Sequence, residues 1–136
     1  DTLFTAYEPW NDRTFIHAGG LWRNHPEITL TATMEWLGRG VGSYQVGRFH
    51  EGQDLPTGVA FGADTYFDAP PPRLNVDVYS VDVAIAVTQA GVVGGDDMVG
   101  TFSGEGVFSD GEVAQVPVTV EGGFRARQHA DVEAPR

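Results

Sequence analysis

The sequence predicts an all-β domain, either an antiparallel β-sandwich or a closed β-barrel of seven to nine strands. Three observations carry that expectation. Apolar residues recur at every second position across most of the chain, glycine-rich breaks come at regular intervals, and no run shows helical periodicity. The 136 residues fit one domain. We place its boundaries at 1–126 and read 127–136 as a loose tail.

Taken in order, "TLFTA" and "RTFIHA" read as two short strands. In "EITLTATMEW", Ile28, Leu30, Ala32, Met34 and Trp36 share one face, and Thr29, Thr31, Thr33 and Glu35 share the other, as in a half-buried strand with a wet outer side. "VGSYQVGRF" follows glycines 38, 40 and 42. Because glycine tolerates positive φ, the two runs are expected to pair as a hairpin. "TGVAFGADTYF" places Val59, Phe61, Ala63 and Phe67 inward, with Asp64 and Tyr66 outward. The three prolines of "DAPPPR" cannot donate ladder bonds, so they read as a rigid crossing between sheets or around a rim.

"LNVDVYSVDVAIAVT" is the longest strand signal. Leu74, Val76 and Val78 have one parity, while Val81, Val83, Ile85 and Val87 have the other. A switch near Tyr79 and Ser80 predicts a bulge or a passage between sheets. "VGTFSGEGVF" and "VAQVPVTVEGGFRAR" complete the set, with Val116, Val118, Val120 and Phe124 inward.

Composition limits function. Hydrophobic content of 41% and charged content of 20% are ordinary for a globular chain, and no apolar run is long enough to span a membrane. There is no cysteine, hence no disulfide, thiol nucleophile or thiolate metal site. Nineteen carboxylates against eight arginines and no lysine give a net charge of −11. Such a surface repels phosphate backbones and anionic membranes, so nucleic acid is not an expected partner, whereas cations are. The chain opens on Asp1 rather than Met, as removal of a secretory signal or plain trimming would leave it.

The segments "MVGTFSGEGVF" (with Gly100 to Gly104) and "VTVEGGF" (Val118 to Phe124), together with "EITLTAT…GSYQVG", resemble parts of small secreted or lipid-anchored bacterial β-domains of unassigned function. The resemblance covers about half the chain. It implies a β-sandwich and an extracellular, periplasmic or cell-surface location, and it brings no catalytic residues. The proline run and the absence of lysine depart from that pattern.

Candidate sites are sparse. Trp10 and Trp22 lie outside clean alternation and could offer a binding platform. Asp64 and Asp68 flank the outward Tyr66, an aromatic face with carboxylates that suits sugar hydroxyls. Asp96 and Asp97 share a glycine-rich turn, where calcium is a candidate ligand if backbone carbonyls join them. His17, His25, His50 and His129 show no local metal spacing, and "FHEGQD" gathers His50, Glu51 and Asp54 in a polar loop. "GRGVGSYQVG" precedes a strand rather than a helix, so its glycines cradle no phosphate. No serine sits in a nucleophile elbow.

Two functional classes follow. One is an exported, non-enzymatic domain for binding, adhesion or assembly, with a carbohydrate or protein partner, or with copies of itself as the subunit of an extracellular filament or shell. The other is a lipocalin-like or cyclase-like barrel that binds or acts on a hydrophobic small molecule. The discriminator is whether Trp36, Phe61, Phe67, Phe102 and Phe108 interlock, as in a solid core, or line a void of roughly a few hundred Å³ with one or two carboxylates pointing in.

Overall fold

A computed structural model describes residues 2–22, 24–49, 57–65, 73–90, 97–110 and 115–133. All its regular structure is strand: β1 (Thr2–Glu8), β2 (Arg13–Trp22), β3 (His25–Leu37), β4 (Gly42–Val46), β5 (Gly58–Thr65), β6 (Asn75–Gln89), β7 (Asp97–Ser109) and β8 (Gln115–Gln128). Seven of them close a barrel in the order β1–β2–β3–β5–β6–β7–β8, and β4 is an additional strand on β6. Of the two architectures the pattern allowed, the barrel is the one that forms. The sandwich implied by the resemblance does not.

Closure comes from β1 and β8. They run parallel and meet at only two pairs, Phe4 with Arg127 and Thr5 with Gln128. Every other neighbouring pair is antiparallel. We call the end with the β1–β2 turn (residues 9–12) the lower end, and the end where β2 passes to β3 the upper end.

The predicted facing holds for most positions; Leu30 and Val116, expected inward, are 40% and 48% exposed toward the upper end, and Glu35, expected on the wet face, is buried against Arg13. Ile28, Met34 and Trp36 are buried from β3, Val59 from β5 and Val83, Ile85 and Val87 from β6. The parity switch is a bulge, with the β6–β7 register slipping between Ser80 and Asp82. Below it, β6 changes partner on its other edge. Tyr79 and residues above it pair with β5, whereas Val83 to Val87 pair with β4. Ser80 ties the junction. Its hydroxyl accepts from Val59 N (2.9 Å) and donates to Gly47 O (2.7 Å).

The expected β3–β4 hairpin is not formed. β3 pairs with β2 and β5, and β4 pairs with β6. The glycines turn the chain without choosing its partner. Gly38 and Gly40 take φ of 120° and 90°, and the Tyr44 ring packs so tightly under Gly38 that a Cβ there has no room. Tyr44 also donates to Gly40 O at 2.7 Å, which folds the turn back and leaves β4 free to seat Val46 beside Val83. The prolines of residues 70–72 lie outside the described residues. The strands on either side, β5 and β6, are neighbours in the sheet, and Thr65 N donates to Leu74 O at 2.9 Å.

The chain stays in register past residue 126. β8 continues to Gln128, and His129 N and Val132 N donate to Thr5 O and Tyr7 O, both at 2.9 Å. Arg39 then clasps Asp131 through two hydrogen bonds of 2.8 and 3.2 Å while stacking on Tyr7, 4.3 Å from the ring centre.

Candidate functional site

Below the upper part of the barrel lies a packed layer. Trp36, Val46, Val83, Ile85, Val87, Met98 and Ala126 form one buried cluster, with Tyr44 and Phe124 against Trp36 at ring separations of 5.8 and 6.2 Å. Two glycine–phenylalanine pairs build the wall beside it. In the β7–β8 register, Gly100 faces Phe124 and Phe102 faces Gly122. Each ring lies across the opposite glycine, and a Cβ at Gly122 would come within 2.8 Å of the Phe102 ring. These pairs give "GTFSG" and "EGGF" a structural role: a bare backbone on one strand makes the seat for an aromatic on the next.

Above this plug the interior is not filled. Ile16, Ala18, Ala32, Met34, Phe61, Phe102 and Phe124 line a chamber of about 280 Å³. Ala18 pairs with Ala32 across β2 and β3, and Ala32 pairs with Phe61 across β3 and β5. Small side chains at inward mid-strand positions are what leave the space. Phe61 and Phe102 meet in a tilted contact at 5.6 Å along one side of it.

Gly123 and Arg125 also line the chamber. Strand alternation with the inward Phe124 points both side chains outward, so their backbone on either side of Phe124 completes the wall. β8 pairs with β1 only at Arg127 and Gln128, although β1 begins at Thr2. Above those two pairs the β1–β8 seam has no ladder bonds among the described residues. The Arg125 side chain is 70% exposed, 3.8 Å from Asp97 Oδ2.

A second cavity, of about 350 Å³, lies at the lower end, among Tyr7, Thr14, Arg39, Gly40, Ala90, Met98 and Gln128. Its polar groups are engaged with the protein. Thr14 donates to Gly38 O at 2.6 Å, Tyr7 donates to Asp12 at 2.5 Å, and Arg39 holds Asp131. That hydrogen bond to Asp12, more than burial, raises the Tyr7 phenol above its ordinary value. On the outer wall Arg13 joins Glu8 (2.5 Å) and the buried Glu35 (3.2 Å), and His17 lies 3.7 Å from Glu35. Both carboxylates share one guanidinium under partial cover, the arrangement of a brace across β1, β2 and β3.

The residues singled out by sequence fall apart in space. Trp10 is 41% exposed in the lower turn, while Trp22 ends β2, so the two stand at opposite ends of the barrel. Asp64 is exposed on the outer wall beside Thr29. Tyr66, Asp68 and Asp96 lie outside the described residues, as do Phe67 and the polar loop of His50, Glu51 and Asp54. Asp97 is present as the partner of Arg125. Among the described residues no three His, Asp or Glu side chains converge where a metal would need them, and no helix is long and apolar enough to cross a membrane. Sequence reasoning missed Ala18 and Ala32. The signal that could have found the chamber is two alanines at matching inward positions of adjacent strands.

No protein-family model, curated protein or solved structure matches the chain.

Proposed function

We propose that the protein binds a small hydrophobic molecule in the upper chamber of its barrel. The observation that carries this reading is the apolar void itself. Phe61 and Phe102 meet in a tilted contact along one side of it and Phe124 lines it too, yet the rings do not fill the space. A cavity of about 150 Å³ lined by aliphatic and aromatic groups holds benzene, so the chamber suits a body of about ten to twelve carbons. The packed layer of Trp36, Val83 and Ile85 beneath it keeps the walls in place before the ligand arrives, which reduces the ordering cost of binding. No general acid or base faces the chamber among its described lining residues. The reading is therefore one of binding rather than turnover. An exported location, as the resemblance implies, fits a carrier or scavenger of this kind.

The test uses a neutral probe, 2-naphthylmethanol, titrated by calorimetry and by the fluorescence of the buried Trp36. We expect a Kd on the order of 10–100 µM. Ala32→Phe should fill the chamber and abolish binding while leaving the melting temperature equal or higher. No binding by the native chain, or undiminished binding by the filled variant, would sink the proposal.

A further inference from the structure

We infer that the chamber takes a flat aromatic molecule, held between the rings of Phe61 and Phe102 and the alanines of β2 and β3. This rests on the chamber reading and adds the class of ligand.

The shape of the space follows from the strand pattern. Ala18 and Ala32 are paired directly across β2 and β3, and both line the chamber. Each leaves out most of the volume that a larger residue would supply at the same inward position. The missing layer is therefore about one side chain deep and spreads over two strands, which lie about 4.8 Å apart. A barrel of about eight strands has an interior just wide enough for side chains to fill, and here seven close it. The order β1–β2–β3–β5–β6–β7–β8 sets β7 across the interior from β2 and β3. The low alanine wall thus looks toward Phe102.

The far wall is aromatic. A Cβ on Gly122 would meet the tip of the Phe102 ring at 2.8 Å, and Gly100 seats the tip of the Phe124 ring in the same way. Trp36 backs Phe124 at 6.2 Å, and Phe61 meets Phe102 at 5.6 Å with 33° between the ring planes. Rings seated over bare backbone lie along the wall rather than across the space, and they leave aromatic surface toward it.

Depth and surface select the same class. Burial alone rewards any apolar body, and a saturated ring system is more hydrophobic than the aromatic one of equal carbon count. A flat ring system fits a layer one side chain deep. It also makes offset or edge contacts with Phe61 and Phe102, each adding about twofold to tenfold in affinity beyond area. Burial alone and the slot therefore predict opposite orders of binding.

Three primary alcohols of equal carbon count separate the two: 2-naphthylmethanol, its saturated analogue decahydro-2-naphthylmethanol, and 1-undecanol. The first two are titrated by calorimetry and the third by displacement of the first. We expect 2-naphthylmethanol to bind about fivefold tighter than either saturated alcohol. In protein labelled at alanine methyls, it alone should move the Ala18 and Ala32 signals upfield, because those methyls would lie against its ring face. In Phe61→Leu and in Phe102→Leu, each checked by thermal melt, the aromatic preference should fall to within twofold. Equal or tighter binding of a saturated alcohol overturns the aromatic inference while leaving the chamber reading intact. Unmoved alanine methyls with 2-naphthylmethanol bound overturn the slot, and a preference retained in both variants overturns its assignment to these rings. The native comparison and the methyl shifts decide the matter even where a variant unfolds. Failure of all three probes overturns both readings.

Discussion

Replacing Ser80 by alanine tests the junction on which the barrel's shape depends. The serine is 2% exposed and sits where β6 exchanges β5 for β4. Removing its hydroxyl orphans two backbone groups. Val59 N–H is the costlier loss, because Val59 is 1% exposed and water does not reach it. An unsatisfied buried donor costs about 1–3 kcal/mol. Gly47 O belongs to an exposed residue that water can serve, so its share is about 0.5–1 kcal/mol. Together the loss is about 3 kcal/mol, which for a domain of this size lowers Tm by about 10 °C. Ser103→Ala, an exposed change on β7, is the control, with an expected effect below about 0.5 kcal/mol. Urea melts with a common m-value give both numbers. A Ser80→Ala loss no greater than that of Ser103→Ala would show that neither hydrogen bond holds the junction.

Facing and ionisation give two further expectations. Met34→Asp places a carboxylate at a 4% exposed position inside the barrel and should cost several kcal/mol. Thr33→Asp, on the outer face, should cost about 1 kcal/mol or less, so comparable thermal melts for the two would refute the facing of β3. In alkaline titration followed at 295 nm, Tyr7 (chiefly through its bond to Asp12) and Tyr44 and Tyr79 (chiefly through burial) should ionise later than the ordinary phenol value of about 10. Their neutral forms then contribute stability that is present below pH 10 and lost as pH rises through the elevated folded values. Tyr7→Phe should remove one late step. Native tyrosines that all titrate at or below 10 would contradict these environments.

The period-two faces of β3, β5 and β6 were legible because each depends only on neighbours in sequence. The bulge at Ser80 was legible for the same reason: an extra residue reverses parity, and the valines record it. Pairing was not legible where it is non-local. Glycines 38, 40 and 42 announce a turn, but the partner of β4 is set by where Tyr44 and Val46 find cover. The choice of barrel over sandwich rests on two residue pairs between β1 and β8, at opposite ends of the chain. Closure reflects the tilt and stagger accumulated over all seven strands, and no local pattern encodes it. The chamber escaped notice because it consists of missing volume. Ala18 and Ala32 fit the inward pattern as well as larger residues would, and only their pairing across β2 and β3 makes a void.

The same narrow seam gives the barrel its two characters. Below it the chain invests in closure. The backbone of His129 and Val132 extends the contact along β1, and Arg39 fastens Asp131 across the end. Above it β1 lies beside β2 but forms no ladder pair with β8 among the described residues. Segments held by few pairs open at low free-energy cost, so opening of this upper seam need not disturb the packed layer of Trp36, Val83 and Ile85. Had β1 paired along the whole of β8, this weak seam would be absent. Incomplete closure therefore sets the packed layer and the chamber above it on seams of different strength. The proposed ligand would then enter on the weaker side, while the paired end carries stability within the same sheet.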